Sequence, residues 1–180
     1  RAIAADPDGP RRSVILAIWD GEEDGLLGSV AYVGAPARPL ASTVAYVNFD
    51  IQGSNLVPSL RNTSFAIGAE SGGELLTALT LDAIASTDLG TQLLSVTFGQ
   101  ARSDYQPFWA KSVPVVFFSD ATNACYHTTE DEVELVDFRK LARQGEIGFR
   151  LVLAPAVGAL HEDDVGLGAR SQKPVGSAGW

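Results

Sequence analysis

The sequence contains no methionine, one cysteine and only two histidines. Lacking a methionine even at position one and opening on Arg1-Ala2-Ile3-Ala4-Ala5, it reads as a processed or partial chain, and a missing N-terminal segment of the same protein is expected as its partner. Cys125 alone cannot close an internal disulfide, so cysteine usage leaves the redox compartment open. Basic residues are scarce: 13 Lys and Arg stand against 22 Asp and Glu, for a net charge of -9. With no local Lys/Arg cluster to neutralise phosphates, nucleic acid is excluded as a partner. Long apolar runs are also lacking. The longest are strand-sized, and no basic-apolar leader opens the chain, so this portion is expected to be soluble, with no membrane partner. Neither a G-x-S-x-G elbow, a G-x-G-x-x-G turn nor a phosphate-binding P-loop occurs, which removes the usual serine-hydrolase and nucleotide-binding readings. Internal repeats are absent.

What is present suits one globular core. A length of 180 residues with 46% hydrophobic content matches a single domain. Residues 1–12 mix Pro, Gly, Asp and Arg without period. A first strand is expected from Ser13 through the run Val14-Ile15-Leu16-Ala17-Ile18. Residues 25–33 have helical apolar spacing, stopped by Pro36 and Pro39. A second strand runs through Val44-Ala45-Tyr46-Val47-Asn48-Phe49 into Asp50, a Gly/Ser/Asn/Pro-rich loop extends to Asn62, and Ser64-Phe65-Ala66-Ile67 alternates as a short strand. Leu75, Leu76, Leu79 and Ala83 mark a helix over residues 74–86. Residues 93–98 suggest a weaker strand, and Ser103 and Gln106 stand at capping-box spacing for a short helix through Lys111. Val113-Pro114-Val115-Val116-Phe117-Phe118 forms another strand. From Val136 onward Leu141, Gly145, Phe149 and Val152 define one face of a long helix that Pro155 stops. Strands alternating with helices predict an α/β fold: three layers, with a mostly parallel central sheet covered by helices on both faces. Residues 1–158 form the domain and residues 159–180 a C-terminal tail.

The chemistry concentrates where strands end, because an open parallel sheet gathers ligands at the carboxyl ends of its strands. The first run leads into Trp19-Asp20-Gly21-Glu22-Glu23, the second into Asp50, and the later one, after a polar loop, into Tyr126-His127-Thr128. Carboxylates and imidazole are the donors zinc accepts, and hydrolytic zinc sites add a free carboxylate to take a proton from water. Two adjacent glutamates permit one to ligate while its neighbour faces the water. Taken singly, each residue has a plainer reading: Glu22 and Glu23 as acids at a helix N-terminus, Asp50 as a turn residue, His127 as a satisfied loop histidine. Agreement of three strand ends favours a site. Residues 99–105 and the surroundings of Asn123 are expected to line its pocket. Asn62-Thr63-Ser64 is a glycosylation sequon by letter only.

The stretch from Trp19 to Ser29 resembles the signature of the M28 family of zinc aminopeptidases and carboxypeptidases. Further blocks match in order: Tyr46-Val47-Asn48-Phe49-Asp50, Ser103-Asp104-Tyr105 with Pro107-Phe108, Val113-Pro114, and Tyr126-His127-Thr128-Thr129-Glu130-Asp131. The resemblance spans residues 10–156 and implies the zinc exopeptidase fold, secretion or a periplasmic location, and a pair of zinc ions. It implies Glu22 as general base, Glu23 and His127 on one zinc, Asp50 on the other, Tyr126 as a donor to the oxyanion, and Asp131 as the orienter of His127 or the cap of the following turn. It also implies a further histidine and a bridging aspartate upstream of the double glutamate. Asp6, Asp8 and the tail histidine His161 lack the expected context for that. The function implied is a zinc-dependent exopeptidase, an aminopeptidase hydrolysing N-terminal residues from peptide substrates through a metal-activated water, with the isolated chain inactive. The alternatives are a metal-poor, non-catalytic interaction domain of the same fold, and a glutaminyl cyclase-like acyltransferase.

Overall fold

A computed structural model describes residues 12–99 and 102–154. Its elements are α1 (Leu27–Gly34), β1 (Tyr46–Phe49), β2 (Thr63–Ile67), α2 (Gly73–Ala85), β3 (Gly90–Leu94), the single turn α3 (Val96–Gly99), α4 (Tyr105–Trp109), β4 (Val115–Ser119) and α5 (Phe138–Leu153). The strands form one sheet in the order β1-β4-β2-β3. β1 runs parallel to β4, with Tyr46 opposite Val115 and Phe49 opposite Phe118. β2 and β3 are also parallel, and only the β2–β4 pair, with Ala66 opposite Phe118, is antiparallel. Because β1 and β4 point the same way, the segments after Asp50 and after Ser119 leave the sheet at one edge.

Alternation of side chains along β4 makes the three layers. Val116 and Phe118 face a core shared with Leu76 and Ala83 of α2 and Ile147 and Leu151 of α5. Val115 and Phe117 face the opposite core, with Val33 of α1 and Tyr105 and Phe108 of α4. All five residues of β4 are buried, as expected of an inner strand covered on both faces. Among the described residues no helix is long and apolar enough to cross a membrane.

Three sequence expectations are corrected here. The run Val14-Ile15-Leu16-Ala17-Ile18 is not a strand: Ile18 is 100% exposed and Leu16 84%. An apolar run supplies the side chains of a strand but not its ladder, and no described segment bonds to this one along β1. Second, the strand expected at residues 93–98 lies earlier, at β3, because residues from Val96 turn helical. Third, the buried face of α5 is not Leu141, Gly145, Phe149 and Val152 but Lys140, Gln144, Ile147, Gly148 and Leu151. Hydropathy hides this face, since two of its members are polar. Lys140 Nζ lies 3.2 Å from Asp120 Oδ1, with side chains 1% and 0% exposed, and Gln144 Nε2 donates to the same oxygen at 2.7 Å. Partners of this quality let charged groups enter a core. Gly148 completes the face: a Cβ there would run into the Phe49 ring at the end of β1. Asp137 starts α5 as its N-cap, accepting from the amides of Arg139 and Lys140 at 3.1 and 3.0 Å. The N–H of Lys140 is the main reason the Asp137 carboxyl titrates below its ordinary range. Pro155, the domain boundary near residue 158, Asp6, Asp8 and His161 lie outside the described residues.

Leu76, 1% exposed between α2 and the sheet, tests this packing. Leu76→Ala is expected to lower stability by about 2–5 kcal/mol, from lost burial and the cavity left behind. Urea unfolding midpoints check it, and a loss under about 1 kcal/mol would show that α2 is not packed as described.

Candidate active site

The double glutamate lies in a tight turn ahead of α1. The amides of Gly25 and Leu26 donate to Glu22 O at 3.1 and 2.8 Å, Leu27 donates to Gly21 O at 3.0 Å, and Gly28 to Asp20 O at 3.0 Å. Gly21 and Gly25 take positive φ, as does Leu26 at 60°. At Gly28 a Cβ would press on the Asp20 backbone at 3.0 Å, so the glycine permits that close approach. The glutamates do not cap α1. Its N-cap is Leu26, without a side-chain bond, and its first turn holds no acid, which removes the plainer reading of the pair. Trp19 anchors the turn from below, its ring 5.2 Å from Tyr32 and 6.1 Å from Phe108.

Glu23 and His127 meet across 104 residues of chain: Glu23 Oε1 lies against His127 Nε2, in contact closer than an ordinary hydrogen bond. Tyr126 OH donates to the same carboxylate oxygen at 3.4 Å, and its ring stacks on the His127 imidazole with centroids 3.8 Å apart. His127 takes a left-handed backbone, φ 61°, a conformation uncommon outside glycine that is found where a site demands it. Asp131 accepts from Asn123 Nδ2 at 3.2 Å. Its bond therefore stays within the loop, and no described bond joins it to His127.

Asp50 leaves β1 into the same region, and its orientation comes from a line of polar groups that the sequence reading missed. Trp19 Nε1 donates to Tyr46 OH at 2.8 Å, Tyr46 OH to Asn48 Oδ1 at 2.9 Å, Asn48 Nδ2 to Ser103 Oγ at 2.7 Å, and Ser103 Oγ to Asp50 Oδ2 at 2.8 Å. Ser103 is thus no capping-box serine, since its hydroxyl proton goes to Asp50. The signal available was a serine preceding an acid ahead of a short helix, which reads equally as a cap. Asp104, beside it, is 8% exposed and keeps a buried Oδ1 with no hydrogen-bond partner.

These groups act on one another through their charges. Burial, then the charges of Glu23, Asp50 and Asp104, push the Glu22 carboxyl above its ordinary range, opposed by His127. Burial likewise raises Asp104, against the pull of its bond to Ser29 and with the push of Asp50. Tyr126 is raised by burial and then by Glu23 and Asp50. Tyr46 is pushed up to about 12, mainly by burial. Four carboxylates that act on one another through space, one of them in contact with an imidazole and another with an orphaned buried oxygen, make a region where a cation is favoured. The donors fit a divalent metal such as zinc in kind, and Glu23 with His127 fits in placement. They supply part of a shell: among the described residues no three His, Cys, Asp or Glu side chains stand together closely enough to hold an ion. An open cleft is lined by Leu94, Ser95, Thr97, Phe98 and Arg102; of the described residues in the stretch 99–105 and around Asn123, expected to line the pocket, Arg102 alone borders this cleft.

Of the expected site residues, Glu23, Tyr126 and His127 come together, with Glu22 and Asp50 within electrostatic reach. Comparison with known proteins gives the arrangement its context. A probable glutamate carboxypeptidase of Arthroderma benhamiae is 44% identical over 55 residues, which is 30% of this chain and 8% of that protein. The LapA aminopeptidase of Legionella pneumophila shares the fold at a TM-score of 0.63 and 19% identity, over 76% of this chain and 38% of that one. BSAP, a zinc aminopeptidase from Bacillus subtilis, matches at 0.61 and 23% identity, over 74% and 34%. The matched region is therefore well under half the length of each relative. The model of peptidase family M28 matches residues 1–152, and with that span of agreement the chain belongs to peptidase family M28.

Proposed function

We propose that this chain carries much of the active site of a zinc-dependent exopeptidase that removes residues from the N-terminus of peptides. The observation that carries this reading is the contact of Glu23 with His127, with Glu22 next in sequence and raised by burial and then by the charges of Glu23, Asp50 and Asp104. Glu23 and His127 would hold one zinc and Asp50 a second. Zinc, when bound, supplies a Lewis acid for the peptide carbonyl and makes water a better nucleophile at neutral pH. Glu22 then works as the proton carrier, taking a proton from water and delivering it to the leaving amine, a role in keeping with a carboxyl raised above its ordinary range by burial and neighbouring charge. Tyr126 keeps its proton to high pH and stands at Glu23, so its hydroxyl can donate to the oxyanion. Two fold neighbours that are aminopeptidases support aminopeptidase action. The name of the Arthroderma relative points the other way. Initial rates on aminoacyl anilides and on N-acyl-glutamyl peptides separate the two: faster cleavage of the latter would overturn the aminopeptidase direction.

A second reading, a non-catalytic domain of the same fold, draws support from the absence of any three-donor group among the described residues. Substitutions in the complete protein discriminate. Glu22→Gln keeps the shape and loses the base, so turnover is expected to fall by about 10²–10⁴-fold with zinc content near wild type. Retained turnover would remove Glu22 from its role. Glu23→Ala and His127→Ala each delete a donor and are expected to lower zinc content on elemental analysis. Unchanged zinc in both would put the site elsewhere.

The 180 residues alone are expected to bind zinc weakly and to hydrolyse aminoacyl anilides no faster than buffer, since two dications need a bridging ligand and fuller shells. Two tightly held zinc ions and activity in that chain would mean that Asp6, Asp8, His161 or a partner chain completes the shell.

A further inference from the structure

Asp50 is followed at once by Ile51 with φ 56°, a left-handed backbone that β-branched residues rarely adopt and that persists only where the surroundings over-determine it. Those surroundings are specific. Asp120 N–H donates to Ile51 O at 3.0 Å, and Gln52 Nε2 donates to Asp50 O at 3.0 Å and to Phe118 O at 2.7 Å. Gly53 N–H donates to Gln144 Oε1 at 3.0 Å, and Ser54 N–H to Asp120 Oδ2 at 3.0 Å. Lys140 Nζ donates to Ser54 O at 2.6 Å. The turn after Asp50 is thus clamped by three buried polar side chains, Asp120 after β4 and Lys140 and Gln144 on α5. None of the three has a part in the chemistry proposed above. A buried ion pair gives no reliable gain in stability over apolar residues of the same size, so stability alone does not account for it.

We propose that Asp120, Lys140 and Gln144 are positioning residues that clamp the turn at residues 51–54 and so aim the Asp50 carboxylate, whose Oδ2 Ser103 holds, at its metal. This rests on the reading of Asp50 as a zinc ligand. The clamp holds the backbone that follows Asp50, and Ser103 holds its Oδ2. Groups that orient metal ligands commonly govern metal affinity although they never touch the ion.

The test uses the complete protein. Asp120→Asn with Lys140→Met removes both charges together and keeps an acceptor for Ser54 N–H, which favours folding. Gln144→Leu keeps the ion pair and frees Gly53. Zinc affinity is measured by competition with a chelating dye, alongside thermal unfolding and turnover at rising zinc, with Asp50→Asn as the reference. The expected result is a folded protein whose zinc affinity falls by about 10-fold or more, with turnover restored at saturating zinc because the ligand itself remains. Asp50→Asn should lose the same zinc without that rescue. Wild-type affinity in folded clamp variants, with zinc lost in Asp50→Asn, would overturn the clamp and leave the zinc reading standing. Retained zinc in Asp50→Asn would overturn the reading of Asp50 and the clamp with it. Should the double variant fail to fold, Gln144→Leu decides by the same two outcomes.

Discussion

The buried pair of Asp120 and Lys140 is the constraint on which the functional edge of the sheet depends. Both side chains are withdrawn from water, and separating them would leave a charge in the core at a cost of about 3–5 kcal/mol. Lys140 belongs to α5, Asp120 to the end of β4, and their shared partner Ser54 to the turn after β1. One interaction therefore joins a helix, an inner strand and the loop of an acidic site residue. It also explains the division of α5 along its length: Lys140 and Gln144 reach the polar sheet edge, and Ile147 and Leu151 fill the apolar core beneath α2.

Around that fixed edge the site gathers like charges. Burial first, and then the charges of Glu23, Asp50 and Asp104, raise Glu22. Three of the loops that bring these groups and His127 together pass through positive φ at a residue with a side chain: Leu26, Ile51 and His127. Such backbone costs of order 1–3 kcal/mol each and is retained where the surroundings hold it. Here the surroundings are the aromatic group of Trp19, Tyr32, Tyr46 and Phe108 under the glutamate turn, the clamp after Asp50, and the stacking of Tyr126 on His127. The fold thus stores strain in the loops that carry or follow Glu23, Asp50 and His127.

Much of this was legible in the sequence, for reasons that differ by element. α2 could be read because its apolar positions recur at helical spacing, and β4 because a continuous apolar run suits a strand buried on both faces. The family signature around Glu22 and Glu23 was legible because the turn needs glycine where φ is positive or another backbone approaches, and those glycines are local. The strand at residues 14–18 was misread since hydropathy reports the wish for burial and not the existence of a neighbour. Ser103 was misread because a serine ahead of a helix has two uses, and only contact with Asp50, 53 residues away, selects one.

The sequence by itself determined the α/β class and the acidic character, because these follow from composition and period, and the family and its candidate residues, because the motif blocks that resemble it stand in order. Only the tertiary structure decided that Glu23 meets His127, that Ser103 serves Asp50, and that Lys140 and Gln144 face inward. Each of those depends on a partner more than 50 residues away in the chain, and a partner at that distance leaves no periodic trace in the sequence.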